Sequence, residues 1–461
     1  MFPNTVIIDR SRIKKLRKQE EERFVAERPR SSELLIQANK CMPHGVPMSW
    51  MASLFDHQPI FSTEGEGAYF IDVDGHRYLD MGQSDLSTIC GFTPAPVVKA
   101  VTQQMSKGCQ FLTPCEAAIS VANELAERFS KPQWQFTLSA SSANAEAIRV
   151  ARRATGRETI LLFDGKYHGH LDDTLVVSRN GKVEPLTEGL SSLASKNVRI
   201  VQYNDLNAVE AVLKQEPVAC VIVEPVLTNV GIITPDPGFH QGLWELTRAH
   251  GAVLIHDETH THAFAFGGLT NKWSLNADIV TLGKNFAGGV AIGAYGMSEG
   301  IANVFSKESD TDGTTYTTSA LTGGTLFGNV LSLTAADAAL KQVMTKSAYS
   351  HITKLGGMLA DGIEAIVQDR NLPWSVQRMY CRSGVTYAPN LPRTAEEAFL
   401  SADAELNGVQ RIYQANRGVW EAVSSAGPAI SFPMVSDDIE LYLKVYADFL
   451  DELLLGESTD G

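Results

Sequence analysis

Residues 252–284 read AVLIHDETHTHAFAFGGLTNKWSLNADIVTLGK, and their pattern decides the fold. Two apolar runs, Ala252–Ile255 and Asp278–Leu282, are too short for free-standing helices and are expected to be buried parallel strands. The first leads into Asp257-Glu258, the second into Gly283-Lys284. A carboxylate and a lysine at the carboxyl ends of two strands stand where open α/β sheets place ligands. Such a pair suits pyridoxal phosphate: the lysine forms a Schiff base and the aspartate keeps the pyridine nitrogen protonated. Alone, the pair also fits solvated loop charges, which Asp and Lys at strand ends often are.

Outward from this stretch, strands and helices alternate. Earlier strand runs are expected at Phe136–Leu138, Thr159–Phe163, Val198–Gln202 and Cys220–Val223, with crossover helices such as Gly238–His250 between them. This is the pattern of an α/β fold with a large, doubly wound, mostly parallel sheet. Helices are expected at Pro94–Gly108, Glu116–Phe129 and Ala143–Arg153 before and among the strands. After Gly328-Asn329 the alternation weakens. Helices near Ser332–Met344 and Ser350–Gln368, short strands at Val385–Ala388 and Ala429–Phe432, and a closing helix Asp437–Leu454 suggest a smaller α+β domain.

Toward the N-terminus, Gly67–Asp80 alternates about Asp74-Gly75 and reads as a hairpin. Ser31–Lys40 reads as a short helix opened by Ser31 or Ser32. Residues 9–28 mix both charge signs around few apolar anchors. They fit either a solvated helix laid on a partner subunit or a disordered arm. The expected domains are 1–93 (arm and hairpin, packing with the small domain), 94–340 (large cofactor-binding domain) and 341–461 (small domain).

The chain has 461 residues, 44% hydrophobic and 20% charged, which suits a soluble globular protein. A formal charge of −14 argues against nucleic acid or an anionic membrane as the main partner. Val6-Ile7-Ile8 gives way at once to a charged run, unlike a secretory signal, and Glu20, Glu21, Glu22 and Glu27 are unlike a transit peptide. No run of about 18 apolar residues suggests a membrane span. The six cysteines lack metal-site spacing, and reduced thiols in the cytoplasm are the simpler reading. His256 and His260 stand four apart with a glutamate between them. A zinc-protease motif needs that glutamate next to the first histidine and on a helix, so no metal is expected.

Tyr167-His168-Gly169 after Asp164-Gly165, then Glu224-Pro225, Asp257-Glu258, Lys284 and Gly324-Thr325-Leu326-Phe327-Gly328-Asn329, fall in one order. That set, from about Met42 to Leu454, resembles the class III aminotransferases, fold-type I pyridoxal enzymes, in the branch near glutamate-1-semialdehyde aminomutase and the ω- and β-transaminases. The resemblance implies pyridoxal phosphate, with Lys284 as Schiff-base amine and proton carrier and Asp257 at the ring nitrogen. It implies Tyr167 stacked on the ring, Thr259 where the family usually has Val against the ring, and Glu224 and Asn229 near the ring hydroxyl and inner site. The family's phosphate loop usually reads Ser-Gly-Thr-Glu. Here it is Ser139-Ala140-Ser141-Ser142, so Ala140 stands for the glycine and Ser141 supplies the hydroxyl. Thr325 resembles the residue that reaches the phosphate of the other subunit, which implies a homodimer with shared active sites.

The expected function is ω-transaminase chemistry. An amine gives its nitrogen to the cofactor, leaving pyridoxamine phosphate, and an oxo acid such as pyruvate takes it up. The alternative is an intramolecular aminomutase of the glutamate-1-semialdehyde type, and a non-catalytic relative is disfavoured by the presence of both Lys284 and Asp257. Semialdehyde- and β-amino-acid-specific relatives usually carry an arginine where this chain has Met42–Met51, which contains none. Met48, Trp50 and Met51 are therefore expected to form an apolar substrate wall. In the other reading they are core, and Arg417 or Arg382 grips a carboxylate.

Overall fold

The computed structural model of the chain describes residues 8–54, 57–306, 322–421, 423 and 427–454. The chain divides into two compact units. One comprises Pro94–Tyr349 with Pro392–Leu400, the other Met1–Thr93, Ser350–Leu391 and Ser401–Gly461.

The first unit is built on a seven-stranded sheet. In chain order its strands are β1 Gln133–Thr137, β2 Thr159–Phe163, β3 Val198–Val201, β4 Val218–Val223, β5 Val253–Asp257, β6 Ile279–Leu282 and β7 Gly293–Met297. They lie side by side as β1-β7-β6-β5-β4-β2-β3. The β6–β5, β5–β4, β4–β2 and β2–β3 pairs are parallel, while β7 runs antiparallel to both its neighbours. β7 has no counterpart among the expected strands. Its sequence, Gly-Ala-Tyr-Gly-Met, lacks the β-branched residues that mark a strand, and its glycines serve packing instead. Any side chain at Gly296 would run into the Trp134 ring of β1.

Both faces of the sheet are covered, which is why its strands read as continuous apolar runs rather than alternating ones. Ile160, Leu162, Cys220, Ile222, Val253 and Ile255 face one way, against Ala143, Ala147, Ile148 and Ala151. Leu161, Phe163, Val221, Val223 and Leu254 face the other way, against Val209, Leu213, Phe239 and Leu243. The small residues at four-residue spacing on the helix Ala140–Thr155 let its backbone lie close to the sheet. Its first turn is thereby fixed at the carboxyl ends of the strands. A separate hairpin, Val176–Arg179 with Lys182–Pro185, turns at Asn180-Gly181, a signal present in the sequence but not used above.

The second unit carries the expected hairpin, Tyr69–Asp72 paired with Arg77–Asp80, extended by Ser62–Glu66 on one edge and Val419–Trp420 on the other. The charged N-terminal segment is neither solvated all round nor disordered. It is a helix, Arg10–Ala26, that buries Ile13, Leu16 and Phe24. It packs on the helices Ala404–Ala415 and Ser436–Leu454 of its own chain. Its buried Glu20 accepts from Asn416 at 2.7 Å and from Arg417 at 3.0 and 3.1 Å. These partners are almost 400 residues away, out of reach of a local pattern. The next helix starts at Pro29 rather than at a serine cap, as proline suits a first helical position. Ser31 instead gives its hydroxyl to Asp74 in the hairpin turn at 2.6 Å.

Candidate active site

Asp257 is the last residue of β5 and stands beside Thr281 of β6. Four donors converge on its carboxylate. Asn144 Nδ2 and His168 Nδ1 reach Oδ2 at 2.7 and 2.8 Å. The backbone N–H and hydroxyl of Thr259 reach Oδ1 at 3.0 and 2.5 Å. Burial alone would favour the neutral acid, but the His168 and Thr259 bonds outweigh it and hold Asp257 down at about 2. Asn144 is itself fixed, its carbonyl oxygen accepting from Thr281 at 2.6 Å. The site thus keeps a buried carboxylate ionised, with the His168 ring among its hydrogen-bond partners.

Lys284 follows β6 by two residues and has φ +58°, a left-handed conformation rare for a side chain-bearing residue. Gly283 before it is packed against the start of the helix Ala140–Thr155. A Cβ at 283 would come within 2.6 Å of Ala140 Cβ. The methyl of Ala140, where the resembling family has glycine, is accommodated by the lack of one at 283. Lys284 Nζ lies 2.6 Å from His260 Nε2. His260 Nδ1 in turn lies 2.6 Å from the hydroxyl of Thr228, which donates to Glu224 at 3.2 Å.

The helix start beside them is open. Ser139 caps it by accepting from Ser142 N at 3.2 Å, and Ser139 O accepts from Ala143 N. Among the described residues, the N–H groups of Ala140 and Ser141 are left as first-turn donors, the arrangement that binds anions. The Ser141 hydroxyl accepts from His170 N at 3.0 Å. Gly169, at φ +96°, passes so close to Ser141 that a Cβ would meet its Oγ at 2.5 Å.

Glu224 and Asn229 come together after β4, Asn229 donating to both Glu224 oxygens at 3.0 and 3.1 Å. Tyr167 N adds a bond to Oε1 at 3.3 Å. Burial, and second the nearby Asp257 charge, push Glu224 up to about 8. The Tyr167 side chain is exposed. Burial also lowers Lys166 to about 8; its ammonium donates to Thr174 O and Val176 O.

The other expected residues have the following surroundings. Thr325 is exposed, its carbonyl accepting from Gln110 at 2.5 Å. Met48, Trp50 and Met51 belong to the second unit, with 44%, 47% and 40% of their surfaces exposed, so they are not core. Arg417 is engaged by Glu20 and lies over the Tyr413 ring. Arg382 is buried and donates to Gly427 O at 3.2 Å. The histidines of the central stretch take separate partners: His256 Thr270, His260 Thr228 and Lys284, His262 the carbonyl of Glu258. Glu258 caps the turn after β5, accepting from Thr261 at 2.5 Å and Leu269 N at 3.1 Å. Sequence reasoning gave no role to Asn144, Thr228, His260 or Thr281. His168 was quoted only as part of a motif.

One lysine, one ionised carboxylate and an open helix start at adjoining strand ends can hold a phosphorylated, cationic aromatic ring bearing an aldehyde. The comparisons agree. The family model "Aminotransferase class-III" matches residues 51–414. A glutamate-1-semialdehyde 2,1-aminomutase of Syntrophomonas wolfei is 34% identical over 358 residues, 76% of this chain and 81% of that protein. The crystal structure of a glutamate-1-semialdehyde aminomutase from Pseudomonas aeruginosa PAO1 superposes with a TM-score of 0.91 at 33% identity, covering 97% of this chain and 99% of that one. An ω-transaminase from Sphaerobacter thermophilus follows with a TM-score of 0.83 at 27% identity, over 92% and 97%. No helix among the described residues is long and apolar enough to cross a membrane.

Proposed function

The chain belongs to the class III aminotransferases, enzymes that use pyridoxal phosphate, and from that membership we propose that it moves an amino group within one substrate molecule. The substrate would be glutamate-1-semialdehyde or a close analogue, with the nitrogen passing from carbon 2 to carbon 1. The likeness to named aminomutases over nearly the whole chain, at 33% identity and a TM-score of 0.91, carries this reading.

When bound, the cofactor supplies an aldehyde for amines and a cationic ring that withdraws electrons from the reacting carbon. Lys284 would hold it through the side-chain amine. Asp257, kept ionised by His168 and Thr259, would hold a proton on the ring nitrogen. Ala140 and Ser141 would meet the phosphate with their open N–H groups, joined by Thr325 of the partner subunit in a homodimer. Tyr167 and Thr259 would flank the ring, with Glu224 and Asn229 on its hydroxyl side. Once free, the Lys284 amine takes a proton from the substrate carbon and returns it elsewhere, as general acid–base catalysis requires.

A second reading is transfer from a largely apolar amine to a separate oxo acid. It is supported by the arginine-free Met42–Met51 stretch with its exposed Met48, Trp50 and Met51, and by the engagement of Arg417 with Glu20. The test supplies ¹⁵N-labelled glutamate-1-semialdehyde without any oxo acid. An isomer that keeps the label supports the intramolecular reaction. Turnover only after pyruvate is added, with the label appearing in alanine, sinks it in favour of the second reading.

A further inference from the structure

Thr228, His260 and Lys284 come from three different strand ends, after β4, β5 and β6, and meet in one chain of hydrogen bonds. The direction of that chain is set at its far end. Every described neighbour of the Glu224 carboxylate is a donor: Tyr167 N, Asn229 Nδ2 and the Thr228 hydroxyl. Where Glu224 is ionised, above about pH 8, it can only accept, so the hydroxyl proton of Thr228 goes to Glu224 and the Thr228 oxygen is an acceptor for His260 Nδ1. The imidazole then carries its proton on Nδ1 and presents a lone pair on Nε2, 2.6 Å from Lys284 Nζ.

We propose that His260, locked in its Nδ1–H form by Thr228, is the positioning residue that holds the freed Lys284 amine in place and keeps it basic. Deepening the reading of Lys284 as the amine that carries the cofactor, the proposal rests on it. Desolvation weakens a lysine as a base, because the ammonium it must become loses its water. A fixed lone pair beside Nζ restores part of that loss by accepting from the ammonium. The opposite tautomer would donate to the neutral amine and make it a poorer base. The other titratable groups about His260 are Glu224 beyond Thr228, Asp257 and Glu258 ahead of it on its own loop, His262 behind it, His168 beyond Asp257 and Lys166 over Glu224. Substitution at Thr228 removes none of these charges.

The test uses the full chain freed of cofactor, so that the identity of the reaction does not enter. Nitrogen-15 spectra of the histidines, recorded above about pH 8 where Glu224 is ionised and assigned by difference with His260→Leu, should show His260 neutral and protonated on Nδ1. The rate of acetylation of Lys284 with pH, read by peptide mass spectrometry, should have its midpoint lowered by about one unit in His260→Leu, a tenfold change. Thr228→Val should lower it less, and Thr228→Ser should restore the original midpoint. A proton on Nε2 in the unmutated chain above about pH 8, or a midpoint unchanged or raised in His260→Leu, overturns the proposal. Should His260→Leu fail to fold, the tautomer of the unmutated chain and the Thr228 pair decide alone. Failure of the underlying reading would appear separately, as activity retained in Lys284→Ala.

Discussion

Four donors on one carboxylate leave little tolerance at Asp257. Replacing it by asparagine turns one acceptor oxygen into an NH₂ that faces either Thr259 or the Asn144–His168 pair, donor against donor. Asp257→Asn should therefore cost about 1–3 kcal/mol of stability and lower kcat by roughly 100- to 1,000-fold. Urea unfolding and steady-state rates measure the two effects separately, and unchanged kcat would remove Asp257 from the chemistry. A residue of the second unit offers a separate electrostatic test. Glu421 is buried, and burial, only partly offset by Arg411 and Arg382, pushes it from 4.5 up to about 7. Between those values the folded chain keeps a proton that the unfolded chain has lost, so stability falls as pH rises through that window. Glu421→Gln should flatten the fall, gaining on the order of 2 kcal/mol relative to the parent between pH 5 and 8. Equal slopes in parent and variant would contradict this. At this scale the sequence revealed the groups with distinctive chemistry, Lys284 and Asp257, because a charge after an apolar run is visible. It hid Asn144, Thr228 and His260, ordinary polar residues whose meaning lies in neighbours 24 to 113 residues away.

Among the elements, the contact between the end of β6 and the first turn of the helix Ala140–Thr155 is the tightest joint of the site. Gly283→Ala places a methyl within 2.6 Å of Ala140 Cβ and 2.7 Å of its nitrogen. The helix start or the strand end must shift, costing about 1–3 kcal/mol. Adding Ala140→Gly should recover part of that loss, since only the methyl–methyl clash is relieved, and thermal melts of the single and double variants would show it. No recovery would mean that the backbone approach alone sets the limit. Elements were legible where buried positions carried large or β-branched apolar side chains. β2 was expected to the residue, since Thr159–Phe163 is buried throughout. The glycine-rich β7 escaped because its side chains carry no strand signal, and the N-terminal helix was misjudged because its apolar stripe is thin. Ile13, Leu16 and Phe24 suffice because distant helices, and for Phe24 the hairpin residues Phe70 and Tyr78, cover them.

For the molecule as a whole, the exposure of Thr325 beside Leu326, itself 52% exposed, is what a shared site would require of a single chain. If two subunits complete each site, mixing Lys284→Ala with Thr325→Ala subunits should restore about a quarter of parental activity through one intact site per hybrid dimer, a statistical figure for random pairing of isologous subunits. Hybrids that form, shown by mass, yet stay inactive would count against the shared site. The overall α/β class was readable because alternating strand and helix lengths admit few topologies. Pro392–Leu400, which falls with the sheet-bearing unit, carries no local signal of it; the hairpin was expected to join the closing part of the chain, and the two share a unit.

That last arrangement governs how the protein is made. The sheet-bearing unit is nearly continuous in sequence, whereas the helix Arg10–Ala26 must wait for Ala404–Ala415 and Ser436–Leu454. At ribosomal speeds of about 5–20 residues per second, that wait is roughly 20–80 seconds. Throughout it, Ile13 and Leu16 emerge on a nascent chain without the helices they pack on, and Phe24 has only its early partners Phe70 and Tyr78, an opening for holdase chaperones or for aggregation. A ribosome stalled anywhere before the final helix would release a sheet able to fold beside a unit that is not.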